Sequence, residues 1–154
     1  VSLDLSAFGG RVIADRPGHV FRMRQDAEIR PEDDQRLVNA LAHANVVVSG
    51  PGTMNIDAAL FDRPLVLVNC YPTPRSFWGT IREYRYDHIQ PILASGGARI
   101  VTSADELRAA IRTYLHDPRQ DAPGRARIRE EQCGRLDGAS TERVTDFIAR
   151  SVVE

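Results

Sequence analysis

The fold is decided by residues 46–57, which read VVVSGPGTMNID. The three valines predict a strand buried on both faces, because parallel strands covered by helices are apolar throughout and do not alternate. The turn Ser49–Thr53 follows, and the residues after it have helical spacing that predicts burial of Ile56, Ala59 and Leu60. A buried strand that runs through a tight turn into a helix is the repeating unit of α/β domains.

Strand and helix patterns alternate on both sides of this unit. Strands are predicted at 45–48, 64–68 and 98–101, with a weaker alternating strand at 20–23. Helices are predicted from Pro31, from Thr53, from a Ser103–Glu106 capping box, over 125–133, and along a closing stripe of Val144, Phe147, Ile148 and Val152. We therefore predict one α/β domain over residues 1–154, a Rossmann-like doubly wound parallel sheet with helices on both faces.

The composition excludes several classes of function. The 154 residues carry 20 basic and 21 acidic side chains, a net charge of −1, so no nucleic acid or anionic membrane is expected as a partner. Every basic residue is Arg, which excludes a Schiff-base lysine and the lysine of a phosphate-binding P-loop. No apolar run approaches about 18 residues and no signal peptide is visible, so we expect a cytoplasmic protein without a transmembrane segment.

The cysteines and histidines give no metal-binding pattern. Cys70 and Cys133 stand far apart and are expected to be reduced thiols. The four histidines show no ligand spacing, so we predict neither a metal nor another cofactor. His88, in the aromatic and charged stretch 84–88, is a candidate for proton transfer or pyrophosphate binding, and the alternative is an ordinary surface histidine.

The turn itself has the chemistry of a phosphate site. Ligands of parallel sheets bind beyond the carboxyl ends of the strands, and Gly50 and Gly52 let a ligand approach the backbone closely or allow positive φ angles. The start of the next helix attracts anions, and the Thr53 hydroxyl adds a donor. Asp57, one helical turn later, can accept hydrogen bonds from a ribose diol. The alternative is a plain strand-to-helix turn in which Asp57 only complements the helix dipole.

Other residues complete the candidate set. Tyr71 and Arg75 follow the 64–68 strand at the same predicted edge of the sheet, where they can meet a base or a phosphate; the alternative, which we favour, is a surface loop stiffened by two prolines. Arg125, Arg127 and Arg129 are predicted to scatter around a solvated helix with local ion pairs. The turn matches neither Gly-x-Gly-x-x-Gly, nor a Walker loop, nor Gly-x-Ser-x-Gly, which disfavours dinucleotide, NTPase and hydrolase functions.

Residues 49–68, SGPGTMNIDAALFDRPLVLV, and residues 137–143, DGASTER, resemble two segments of glycosyltransferase-B enzymes. Within this family they resemble CDP-glycerol glycerophosphotransferase-like and surface-polysaccharide transferases, and the resemblance spans roughly residues 34–148. It implies that this chain is one half of a glycosyltransferase-B architecture, the carboxyl-terminal donor-binding half. An acceptor domain would precede it and would often supply the catalytic base, so the catalytic residue is unknown apart from the candidate His88.

The resemblance implies phosphate contacts from Ser49, Gly50, Gly52 and Thr53, a ribose contact from Asp57 and an additional candidate contact from Ser140. Pro51 departs from the family, because it removes a backbone donor. The implied function is transfer of a glycosyl or glycerol-phosphate group from a CDP- or UDP-linked donor to an acceptor hydroxyl in cell-surface polymer synthesis. Two alternatives stay open. One is an enzyme similar to UDP-N-acetylglucosamine 2-epimerases, whose usual pair of Glu is missing around Asp57, and the other is a non-catalytic nucleotide-binding module.

Overall fold

The structure is a computed structural model, and it describes residues 9–15, 17–20, 27–71, 73, 76 and 81–152. Arg75 and most of the predicted strand 20–23 lie outside these residues. The chain divides into two compact units, Val1–Ala40 and Leu41–Glu154.

The first unit contains a short antiparallel pair of strands and the start of a helix. Strand β1 (His19–Val20) pairs with β2 (Ala27–Glu28), and helix α1 (Pro31–His43) begins at the predicted proline. The Asp33 carboxylate accepts a 2.9 Å hydrogen bond from the Arg30 amide, and this bond lowers the pKa of Asp33. The carboxylate therefore caps the start of α1, as acidic residues do in the first turn of a helix.

The second unit is built on a three-stranded parallel sheet, as predicted. Its strands are β3 (Val47–Ser49), β4 (Leu65–Val68) and β5 (Ala98–Val101), in the order β3-β4-β5. The register places Ser49 opposite Leu67, and Val68 opposite Val101. The carboxyl ends of the three strands thus lie at one edge, from which residues 50–53, 69–71 and 102–103 emerge.

The connections between and after these strands are helical. They are α2 (Met54–Leu60), a 3-10 helix (Ile81–Arg85), α3 (Gln90–Ala94), α4 (Ala104–His116), α5 (Ala122–Cys133) and α6 (Ser140–Val152). The predicted capping box of α4 is confirmed: the Glu106 amide donates to Ser103 Oγ at 3.2 Å, and the Thr102 amide donates to Glu106 Oε2 at 2.7 Å. Helix α5 begins three residues before the predicted position.

Helices cover the sheet on both faces, because successive residues of β4 point in opposite directions. Leu65 belongs to a core cluster with residues of α1, α2, α3 and α5, and Val66 to a second cluster with Val101 of β5 and two residues of α4. The first cluster contains Leu41, Ala58, Ala59, Ile89, Ile92 and Ile128, and the α4 residues of the second are Ala110 and Tyr114. The α/β architecture with two covered faces is therefore as predicted.

Helix α6 has the predicted apolar stripe but does not bury it. Val144, Phe147, Ile148 and Val152 are all more than half exposed, and no residue of the helix is buried. In helix α5 a charged residue is buried where we expected it to be exposed: Arg125 is fully buried. The prediction that the arginines of this helix are solvated is thus wrong for Arg125, whose carboxylate partner, Asp62, lies far away in the sequence.

Candidate functional site

The turn after β3 is held by the side chain of Asn55, which the sequence patterns did not indicate as a functional residue. Asn55 is fully buried, and its Nδ2 donates to the carbonyl oxygens of Gly50 at 3.1 Å and Gly52 at 2.8 Å. Its Oδ1 lies 2.5 Å from Ser49 Oγ, which donates to it. One amide side chain therefore ties three residues of the turn together. Asparagine commonly binds backbone groups in turns in this way, and that tendency is the signal by which Asn55 could have been found.

The carbonyl groups of the turn consequently face inward, toward Asn55, while several amide groups keep no internal partner. The amides of Gly52, Thr53 and Met54 find no acceptor within the part of the chain that the structure describes. A Cβ atom built on Gly50 or Gly52 would meet nothing within 4 Å, and neither glycine has a positive φ. Of the two uses predicted for these glycines, close approach of a ligand is thus compatible with the geometry, and a positive φ is not observed.

Thr53 and Asp57 lie on one face of α2, one turn apart. Thr53 is exposed and its side chain makes no capping hydrogen bond. Asp57 is half-buried rather than turned into the core, and it lies near the thiol of Cys133 at the end of α5. Burial, followed by the negative charge of Asp57, raises the pKa of Cys133. Thr53 is therefore open to a ligand at the turn, Asp57 faces the end of α5 near Cys133, and the Ser49 hydroxyl donates to Asn55.

A comparison of two helix starts at this edge shows why α2 differs from α4. At the start of α4, Ser103 Oγ accepts a hydrogen bond from the Glu106 amide, and the Glu106 carboxylate accepts from the amide and the hydroxyl of Thr102. These bonds from Thr102 lower the pKa of Glu106, so a negative charge already occupies that position. The start of α2 contains neither a capping hydroxyl nor a carboxylate bonded to its amides. The unpaired amides therefore give the start of α2 a positive potential.

The next loop along the edge carries tyrosines. The hydroxyl of the buried Tyr84 donates to the carbonyl of Val68 at 2.8 Å, at the carboxyl end of β4. Burial and the nearby Tyr71 phenol raise the pKa of Tyr84 to about 12, so the hydroxyl stays protonated and keeps this bond. The half-buried Tyr71 therefore lies beside Tyr84 at the predicted edge of the sheet.

His88, the candidate for proton transfer, is exposed and stacks on Tyr86. Their ring centroids are 5.6 Å apart, with an interplanar angle of 26°. The guanidinium of Arg82 lies 5.9 Å from the centroid of the Tyr86 ring. His88 is thus part of an exposed planar stack, which is defined here as the 82–88 stack and comprises Arg82, Tyr86 and His88.

The DGASTER segment forms the start of α6. Asp137 Oδ1 accepts hydrogen bonds from the Ala139 amide at 3.0 Å and from Arg143 at 2.8 Å, and Arg143 also donates to Ser140 Oγ at 3.0 Å. The bond from Arg143 lowers the pKa of Asp137. Gly138 has φ +75°, which favours glycine at this position. The segment therefore has a local structural role as the cap of α6, and Ser140 takes part in it.

Among the residues that the structure describes, no group of three or more His, Cys, Asp or Glu side chains is arranged to hold a metal ion. Likewise, no helix within the described ranges is both long and apolar enough to cross a bilayer. Comparison with known proteins gives no match for this chain, either to a family model, to a curated protein or to a solved structure.

Proposed function

We propose that this chain is the donor-binding part of a group-transfer enzyme and that it binds the diphosphate of a nucleotide-activated donor at the turn Ser49–Thr53. The observation that carries the proposal is the division of the turn into two sides. Asn55 draws the carbonyls of Gly50 and Gly52 inward, and the amides of Gly52, Thr53 and Met54 keep no internal partner. Backbone amides at the start of a helix are a common ligand set for phosphate.

The side chains around the turn fit the same donor. The Thr53 hydroxyl is free of capping duty and can donate to a phosphate oxygen. Asp57 is half-buried one helical turn after Thr53, and we expect its carboxylate to accept hydrogen bonds from a ribose diol there. Ser49 has a supporting role in this proposal, because its hydroxyl would have to leave Asn55 before it could donate to a phosphate.

The reaction we propose is transfer to an acceptor hydroxyl. The acceptor oxygen forms a bond to the anomeric carbon or to the phosphorus of a glycerol-phosphate group, and the bond to the leaving nucleotide breaks. The hydroxyl proton passes to a base that we expect in a preceding acceptor domain of a glycosyltransferase-B architecture. The amides at the start of α2 would stabilise the negative charge that develops on the leaving phosphate. A cytoplasmic location and a role in cell-surface polymer synthesis belong to the same proposal.

The test is isothermal titration calorimetry of the chain with CDP and with UDP. We expect measurable heat with at least one of them. The Asp57→Ala variant should bind that nucleotide about tenfold more weakly than the wild type, because it lacks the charged acceptor of the ribose hydrogen bonds. Asp146→Ala, which removes an exposed carboxylate on α6, is the matched control and should bind like the wild type. If neither CDP nor UDP gives measurable heat, the proposal that the turn binds a nucleotide is overturned.

Gly52→Ala separates binding from folding at the same place. Since a Cβ on Gly52 would meet none of the described residues beyond its chain neighbours within 4 Å, the variant should keep its thermal stability. The added methyl group would nevertheless occupy space against which we place the diphosphate, so affinity should fall. An unchanged affinity in a stable Gly52→Ala variant would show that no ligand contacts this backbone.

A further inference from the structure

The 82–88 stack is held in place by anchors close to both of its rings. Tyr84 precedes Tyr86 and is fixed by its hydrogen bond to the Val68 carbonyl. Ile89 follows His88 and is only 1% exposed, in the cluster that contains Ala58 and Ala59 of α2. The amide of Ile89 also donates to the Tyr86 carbonyl at 2.8 Å. Tyr86 and His88 are therefore exposed rings on a short segment whose ends are buried.

One of these anchors lies at the carboxyl end of β4, next to the strand that leads into the proposed diphosphate site. Ser49, the first residue of the turn, pairs with Leu67 in the neighbouring strand, and Val68 is the next residue. Adjacent strands lie about 4.8 Å apart, so the anchor of Tyr84 is a close neighbour of the turn. Tyr86 follows Tyr84 by two residues, which limits their Cα separation to about 7 Å. Ile89 then belongs to the core cluster that also contains Ala58 and Ala59 of α2, the helix that starts at the turn.

We propose that His88, supported by Tyr86, stacks against the nucleobase of the bound donor, and this inference rests on the proposed function. A nucleoside diphosphate carries its base at the far side of the ribose from its phosphates, so its base needs a second contact beside the turn. Planar rings accept any base by its π face, and stacking of this kind tolerates changes of sequence or base. Arg82 over Tyr86 adds a cationic layer to the same stack. In this role His88 contributes its ring and not its proton.

The experiment compares two substitutions of His88 with two probes. His88→Ala removes the ring, whereas His88→Phe keeps a planar ring without hydrogen-bonding nitrogens. We expect His88→Ala to weaken CDP and UDP binding about tenfold and His88→Phe to stay within about twofold of the wild type. Inorganic pyrophosphate, which has no base, should bind all three proteins equally. Tyr86→Ala should resemble His88→Ala, because it removes the support of the histidine ring.

The other outcomes separate the possible failures. If the wild type binds a nucleoside diphosphate and His88→Ala binds it equally well, the stack is a surface pair and the inference is overturned while the proposed function stands. If both His88 variants lose affinity for pyrophosphate or for CDP, His88 is a hydrogen-bonding ligand and the stacking role is overturned. If the wild type binds neither CDP nor UDP, the proposed function fails and the inference fails with it.

Discussion

Arg125 donates from Nε to Oδ1 of Asp62 at 2.9 Å, across 63 positions of sequence, and so connects the first turn of α5 to the end of α2. The arginine is fully buried, while the Asp62 side chain is 53% exposed. Its two terminal nitrogens donate to the carbonyls of Gln120 at 2.7 Å and Pro118 at 2.9 Å. Every branch of the guanidinium thus has a partner, which is the condition under which a charge is tolerated in a protein interior.

We predict that Arg125→Met lowers the free energy of unfolding by about 3 kcal/mol, because it leaves the carbonyls of Pro118 and Gln120 without their donors. Urea denaturation followed by circular dichroism measures this change. Arg127→Met is the matched control on the same helix, where the side chain is exposed, and it should change the free energy by less than about 0.5 kcal/mol. Equal effects of the two substitutions would mean that the buried network does not hold α5.

A second prediction concerns Gly124, which touches the backbone of the turn before β5. A Cβ on Gly97 would lie 2.5 Å from the carbonyl carbon of Gly124, and a Cβ on Gly124 would meet the backbone of Gly96 even more closely. Glycine to alanine inside a helix normally stabilises it by about 1 kcal/mol. Gly124→Ala should instead destabilise the protein and lower its melting temperature, since the new Cβ would collide with the backbone of Gly96 and Gly97 and not with a flexible side chain. Gly50→Ala, in open space, should melt within about 1 °C of the wild type, whereas a stable Gly124→Ala would contradict the contact.

The sequence predicted those features that depend on neighbours along the chain. The parallel strands follow from apolar runs, and the start of α4 follows from Ser103 and Glu106, three residues apart. The burial of Arg125 could not be predicted, because its carboxylate partner is 63 positions away and only the fold brings the two together.

Those parts of the candidate site that depend on neighbours along the chain could likewise be predicted, and the others could not. The turn, its two glycines and the position of Asp57 on the face of Thr53 follow from local spacing. The predicted burial of Ala59 is confirmed, whereas that of Leu60 is wrong, since Leu60 is 38% exposed and Asn55 and Ala58 are the other buried residues of α2. Periodicity counts apolar residues, so it cannot find a buried amide whose partners are the carbonyls of a turn.

A third prediction concerns acid stability at Asp121. Burial by itself would raise the pKa of this carboxyl, but hydrogen bonds from Tyr114 at 2.7 Å and Arg99 at 2.9 Å outweigh burial and lower the pKa below 3.8. A group whose pKa is lower in the folded state stabilises the fold above its unfolded pKa, which is about 3.9. This contribution is lost as the pH falls through the folded pKa. The urea midpoint of the wild type should therefore drop as the pH decreases below about 4.

Asp121→Asn tests that contribution with little backbone strain. Asp121 has φ +63°, a conformation that Asn adopts more readily than other residues with a side chain. The variant should be less stable than the wild type at pH 6, and the difference should shrink as the pH falls through the lowered pKa of Asp121 and the wild-type carboxylate becomes protonated. Asp105→Asn, at a side chain that is 93% exposed, controls for the loss of one negative charge. A difference that stays constant with pH would show that the charge of Asp121 is not the stabilising feature.

The last prediction is that Asn55→Ala damages both the stability of the chain and its affinity for nucleotides. The substitution removes three side-chain hydrogen bonds, those from Asn55 Nδ2 to the carbonyls of Gly50 and Gly52 and that from the Ser49 hydroxyl to Asn55 Oδ1. The longer contacts from Ser49 Oγ to the Gly50 carbonyl and from the residue 55 amide to the Gly52 carbonyl remain. A hydrogen bond contributes about 1 kcal/mol, so the free energy of unfolding should fall by about 1–3 kcal/mol, as measured by urea denaturation. Asn45→Ala, at an exposed position just before β3, is the control and should leave the free energy of unfolding unchanged.

Because Asn55 turns the carbonyls of the turn inward, Asn55→Ala should also weaken CDP or UDP binding at a temperature where the variant is still folded. A folded Asn55→Ala variant with wild-type affinity would contradict the idea that the inward carbonyls prepare the turn for an anion.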